Sequence, residues 1–251
     1  ADFASLTTAA IQALTTYTVS VLNSADILAL NTAQAQALST QQAFALTTSQ
    51  VAVLETRDAA ALSTSAIAAL STDQLVALRT DQAQALATQQ IVALDTAQLI
   101  ALETADFSAL NTSSIAALLT SQIVALTTDE LVALRTDQAL AITTRQVVAL
   151  DLSQIAALET RDIASISTRS IAAMGTAQIV ALTTAQSQAL ATQQVIALGT
   201  AQIAAIETPP DFSTFSTAAI SALLTSQVVA LTTQQAGALT TAQTVALITK
   251  Q

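Results

Sequence analysis

The residues best able to do chemistry in this chain are its carboxylates. Glu55 and Asp58 stand three apart, and the pair recurs as Glu103/Asp106, Glu159/Asp162 and, with one residue inserted, Glu207/Asp211. Two acids converging in a cleft are what cleavage of a glycosidic bond requires, one as acid and the other as base or nucleophile. The same acids could offer oxygens to Ca²⁺, but that ion wants roughly six to eight of them, and the Gly-containing loops that gather them are missing. Enzymes rarely carry several copies of one active site. A commoner use of such acids is to face the positive end of a helix dipole. With no His and no Cys, Ser-His-Asp triads, thiolate catalysis and His- or Cys-based metal sites are unavailable. Gly-rich phosphate loops are absent too. The sequence therefore assigns no catalytic, cofactor-binding or metal residue and implies no cofactor, and the chain reads as no enzyme.

What positions these acids is an eight-residue unit, shown by Leu118-Leu119-Thr120-Ser121-Gln122-Ile123-Val124-Ala125. Numbering its positions one to eight gives Leu-x-Thr-x-Gln-Ile-x-Ala. From Leu6 an apolar residue occupies every eighth position to Ile206; the register slips by one at Pro209-Pro210 and resumes from Phe215 to Leu247. Of 31 starts, 26 are Leu, and position three is Thr in 29, with only Ser24 and Leu152 departing. So strict a repeat decides the architecture.

Eight residues turn a continuous helix by ~800°, which leaves successive Leu residues ~80° apart and no lasting apolar face. Positions one, six and eight do not alternate as a strand requires. A short helix broken once per octad remains. The near-invariant Thr is the expected N-cap, its hydroxyl accepting from an orphaned backbone N–H. Pro209 after Thr208 fits a first helical position. Asp58, Asp73, Asp81, Asp106, Asp129, Glu130, Asp137, Asp162 and Asp211 follow the Thr, as the dipole favours. Position six and the next Leu lie three apart on one face, and so short a helix needs its neighbours. All 24 charged residues fall at positions two, four or five, which suggests a wet edge and a dry seam.

A longer period overlies the first. Octads with Asp at position five, each followed by one with a small residue there, occur at Asp2, Asp58, Asp106, Asp162 and Asp211. The intervals alternate between seven and six octads and make a 104-residue super-repeat, so that Leu54-Glu55-Thr56-Arg57-Asp58 returns as Leu158-Glu159-Thr160-Arg161-Asp162. Recent duplication accounts for it; so would a superhelical turn of about 6.5 octads that stacks the Asp octads on one side. Residues 1–251 are expected to form one continuous array, with Pro209-Pro210 a local bulge.

The net charge of −10 disfavours nucleic acid, because phosphate binding rests on Lys and Arg. A Thr and usually a Gln interrupt every octad, so no run approaches the ~20 apolar residues of a membrane span. The chain opens and closes partway through a repeat, as a piece of a longer protein would. Low content of Gly and Pro argues against a turn-rich β architecture. Thr rows invite the thought of ice binding, but a flat lattice would need position two as well, and that position varies through Glu, Arg, Asp, Leu and Gly.

Leu223-Leu224-Thr225-Ser226-Gln227-Val228-Val229-Ala230 resembles the opening of a TAL-effector repeat, although the long second helix and base-reading loop of that family have no counterpart. Over its whole length the chain resembles octad arrays of the Leu-Thr-Thr-x-Gln-Ile-x-Ala-Leu kind in very large bacterial proteins. That resemblance implies an extracellular or cell-surface location and assigns no functional residue. The expected fold is an all-α solenoid, a superhelical rod of Thr-capped helices, with a β-solenoid as the alternative. The expected function is a spacer, stalk or filament segment whose partners are its own neighbouring repeats, with self-association or a surface protein as further partners. The alternative is a binding or adhesion module presenting a protein or glycan site at variable positions two, four and seven, with Gln12, Gln36, Phe44, Gln84 and Gln188 the candidates at seven.

Overall fold

The computed structural model describes residues 3–206 and 212–248. The fold is 71% helical, in 29 short helices with no strand among the described residues, so the α-solenoid stands and the β-solenoid does not. Glu207, Thr208, Pro209, Pro210 and Asp211, and with them the expected bulge and the Pro at a first helical position, lie outside the described residues, as does Asp2.

An octad is typically one helix of five or six residues and one corner; the exceptions are the 3-10 turns Phe3–Ser5 and Phe212–Thr214 and the eight-residue helix Thr241–Ile248. The corner before the helix Thr40–Ala45 is built from two extended residues. Leu38 closes the preceding helix at φ −61°, ψ 128°, and Ser39 follows at φ −73°, ψ 164°. Two consecutive residues with negative φ and large ψ turn the chain, a conformation open to any L-residue. The corners therefore need no glycine.

This geometry moves the cap. Position three is the first helical residue, and the N-cap is position two. Thr7, Asn23, Ser39 and Asp95 there accept a bond from the backbone N–H three residues on. The expectation that the near-invariant Thr caps each helix is corrected: two extended corner residues use up positions one and two, so the helix starts at three. Arg79, Ala87, Leu119, Gly175 and Gly199 supply no such acceptor.

Position five supplies the missing half. Gln42 accepts the N–H of Ser39 on Oε1 at 2.9 Å, while its Nε2 donates to Ile11 O and Leu14 O, both at 2.8 Å, in the preceding turn. Gln50 does the same between Thr47 and Val19 and Leu22. Gln186 reaches Ile155 and Leu158 in the same way. Position five, expected on the wet edge with the charges, is buried instead, and Asp58, Asp106, Glu130 and Asp162 are buried with it. The glutamine's length explains this, since only an inward side chain can reach the turn before.

Positions six and one fill the core, from Ile11, Val19 and Ile27 through Leu75, Ile91 and Leu99 to Ile203. Position six is Ala in the octads of Ala35, Ala43, Ala59, Ala83 and Ala139; where both positions are large aliphatics, their burial contributes roughly 3–6 kcal/mol per octad before chain entropy is counted, and this holds helices too short to exist alone. Within each unit, helices pack on the third one along; Thr16–Ser20 lies against Thr40–Ala45, and that against Thr64–Ala68. Thr32 meets Asp58 at a separation of 26 residues, three octads plus the step from position three to position five, so one turn takes about three octads. The expected 6.5 octads per turn is thereby corrected to about half. Asp58 and Asp106, six octads apart in the sequence, are separated by about two turns.

The chain divides into two compact units, Ala1–Ala133 and Leu134–Gln251. In the first, the ladder runs through Gln34, Gln42, Gln50, Gln74, Gln82, Gln90, Gln98 and Gln122. In the second, Gln178, Gln186, Gln194 and Gln202 bond the carbonyl 28 residues back. Gln227 and Gln235 reach 29 residues back, and Gln243 returns to 28. The inserted residue lengthens the count by one without breaking the ladder.

Candidate functional site

The carboxylate pairs do not converge on a cleft. Arg57 Nε lies 2.8 Å from Glu55 and 3.7 Å from Asp58, and Arg161 repeats the arrangement at 2.5 and 3.8 Å from Glu159 and Asp162. Asp58 is buried and accepts a bond from Thr32 Oγ1 at 3.1 Å, and Asp106 accepts one from Thr80 at 2.7 Å. A substrate reaches neither carboxylate. Glu207/Asp211 is outside the described residues. No group of three potential ligands able to hold a metal occurs among the described residues.

Burial sets the protonation of these acids. It pushes Asp58 above the usual carboxylate range, with the Thr32 hydroxyl and Arg57 only partly offsetting it. It pushes Asp162 to about 6, against the pull of Arg161 and the Thr136 hydroxyl and with a further push from Glu159. Oδ2 of Asp58 lacks a hydrogen-bond partner. Glu130 stands where most octads have Gln; one oxygen caps Thr127 at 2.7 Å, the other is unpartnered, and burial raises its pKa. The exposed Asp81 is held down at about 2 by hydrogen bonds from Arg79 and Thr56. These are helix-start and turn-to-turn contacts of a framework.

The position-seven candidates are exposed. Gln12, Gln36, Phe44, Gln84 and Gln188 all face outward, and so does much of the apolar side chain found there, including Val76, Ile100 and Val124. Phe44 stands out among the five. It is 63% exposed and shares an open groove of about 770 Å³ with Tyr17, 75% exposed, in the first unit. Tyr17, the single Tyr of the chain, stands at position four, one of the variable positions expected to form a site, in an octad three before that of Phe44. Only the pitch of the solenoid brings the two rings to one groove.

A family model described as the ALTTAQ repeat matches residues 19–56, 51–88, 99–136, 155–192 and 203–241. The chain belongs to the ALTTAQ repeat family. Each match begins at position six of an octad and ends on the Thr of position three, and the last is one residue longer because it crosses the insertion. An ALTTAQ unit thus begins on a core residue and ends where a helix begins. No protein of curated function matches the chain.

Proposed function

We propose that this ALTTAQ array is a spacer: a stalk or filament segment of a very large bacterial protein that is secreted or held at the cell surface. The observation that carries this reading is the glutamine ladder. Within each unit the Gln octads join turn to turn by the same local bonds, so turns can be added without redesigning those present. Charges at positions two and four keep the outside acidic and soluble. No described helix is long and apolar enough to cross a membrane. The partners of each repeat are its neighbours; nucleic acid, facing a net charge of −10, is not among them.

Two measurements test this. The maximum dimension from small-angle scattering should rise in proportion to length when one more super-repeat is inserted. In the native cells, protease added outside should remove the array before cytosolic markers are touched. A dimension indifferent to copy number would sink the spacer, and an array protected in intact cells would sink its location. A second reading, a module presenting a glycan site, draws support from the groove at Tyr17 and Phe44.

A further inference from the structure

Among the described residues, large side chains exposed at the surface are mostly aliphatic and stand at position seven; the aromatic exceptions are Tyr17 and Phe44. Both line one groove. Phe107, Phe212 and Phe215, by contrast, are buried in the core. Exposed aromatic surface on a monomer is a marker of recognition when it is gathered rather than scattered.

The groove also holds unspent hydrogen-bonding groups. Thr16, Thr40 and Gln41 line it with Tyr17, Ser20 and Phe44. Ser20 Oγ is engaged with Tyr17 O at 2.9 Å. The hydroxyls of Thr16 and Thr40, the Tyr17 phenol and the Gln41 amide have no partner among the described residues. They offer donors and acceptors in one place. No lining residue is charged, although the chain carries −10 overall. The volume falls within the roughly 300–1,000 Å³ of small-molecule sites.

We propose that this groove binds a neutral oligosaccharide, with the rings of Tyr17 and Phe44 as platforms and Thr16, Thr40 and Gln41 as hydrogen-bonding partners. A pyranose presents an apolar C–H face, which packs on an aromatic ring, and a rim of hydroxyls, which pair with amides and hydroxyls. Uncharged lining selects against phosphate, sulfate and sialic acid, because each would be desolvated without a counter-charge. An apolar helix of a second chain fits less well. It would leave the free hydroxyls and amide buried unpaired, and here the rings project rather than enclose a hollow.

The solenoid contains its own control. An equivalent groove of about 490 Å³ in the same unit is lined by Thr64, Thr88, Gln89 and Val92 at the corresponding positions, with an aliphatic side chain where Phe44 stands. The groove is a product of the octad, and the aromatics are what distinguish the first one. This site does not require the spacer reading, and its failure would leave that reading intact.

The test is an array of neutral and acidic oligosaccharides probed with the whole chain, followed by calorimetric titration of the best neutral binder. Tyr17→Ala and Phe44→Ala, at exposed positions, should each weaken that binding tenfold or more while leaving the helical circular dichroism unchanged; Phe44→Trp should retain it, and Val92→Ala in the second groove should not alter it. Absence of any neutral binder up to about 10 mM in titrations with cellohexaose and maltohexaose, binding of acidic glycans only, or binding that survives both alanine variants would each overturn the proposal. So would dimerisation through these two rings, seen as a concentration-dependent mass that Tyr17→Ala abolishes.

Discussion

Two neighbouring octads show how much one side chain decides. Leu46–Val53 carries Gln50, and Leu54–Ala61 carries Asp58. Both make a corner and a six-residue helix beginning at Thr48 or Thr56. Gln50 bonds the N–H of Thr47 at 2.7 Å and the carbonyls of Val19 and Leu22, both at 2.8 Å. Asp58 is a methylene shorter and, when ionised, accepts only. It takes one bond from Thr32, donates none to the turn before, and leaves Oδ2 unpartnered. Its helix has no side-chain cap either, since Glu55 does not bond back. The backbone path is common property, whereas the grip between turns is set octad by octad. Gln octads are clamps, and Asp octads are joints.

The strongest way to break this comparison is to remove a clamp. Gln50→Ala orphans the Thr47 N–H and two carbonyls, and should cost about 3 kcal/mol, read as a lower urea midpoint. A loss under about 0.5 kcal/mol would show that the ladder contributes nothing.

Next comes the joint at Asp162. Its pKa is about 6 in the fold against 3.8 for the free side chain. The folded state therefore holds the proton more tightly, no penalty exists below pH 3.8, and stability is lost as pH rises through 6. Asp162→Asn should be more stable than the parent at pH 7.5 by up to about 3 kcal/mol, with the difference vanishing by pH 4. A pH-independent difference would show that the carboxylate is not the cause.

A joint can also be turned into a clamp. Glu130→Gln replaces an unpartnered oxygen by an amide donor in the register that bonds the preceding turn elsewhere. It should add about 1–2 kcal/mol at pH 7 and less at pH 4, where Glu130 is protonated. Thermal melting at the two pH values decides it.

The smallest effect separates two threonines in the same place of the octad. Thr80 donates to Asp106 at 2.7 Å, so Thr80→Ala should cost about 1 kcal/mol. Thr48 has no such partner, and Thr48→Ala should stay within about 0.5 kcal/mol. Equal losses would return the position-three Thr to a capping role.

The octad period, the helices and the apolar pair at positions six and one were legible because each follows from spacing alone. The cap was misplaced by one residue. Thr is a good cap by type, but whether position two or three is the first helical residue depends on how many residues the corner uses. Gln at position five was legible as frequent and not as buried, since its partners Ile11 and Leu14 lie 31 and 28 residues from Gln42. Phe44 and the variable position that Tyr17 occupies were legible, but their pairing was not, for the same reason: contacts between turns depend on pitch, which an eight-residue count does not contain.

The separation of 26 residues between Thr32 and Asp58 has a bearing on how such genes grow. Contacts between turns span only about three octads, so copying any number of octads re-pairs only the clamps that straddle the new segment, and those farther along keep their partners 28 residues back. Growth by unequal recombination, one octad or thirteen at a time, therefore asks for adjustment at a single seam.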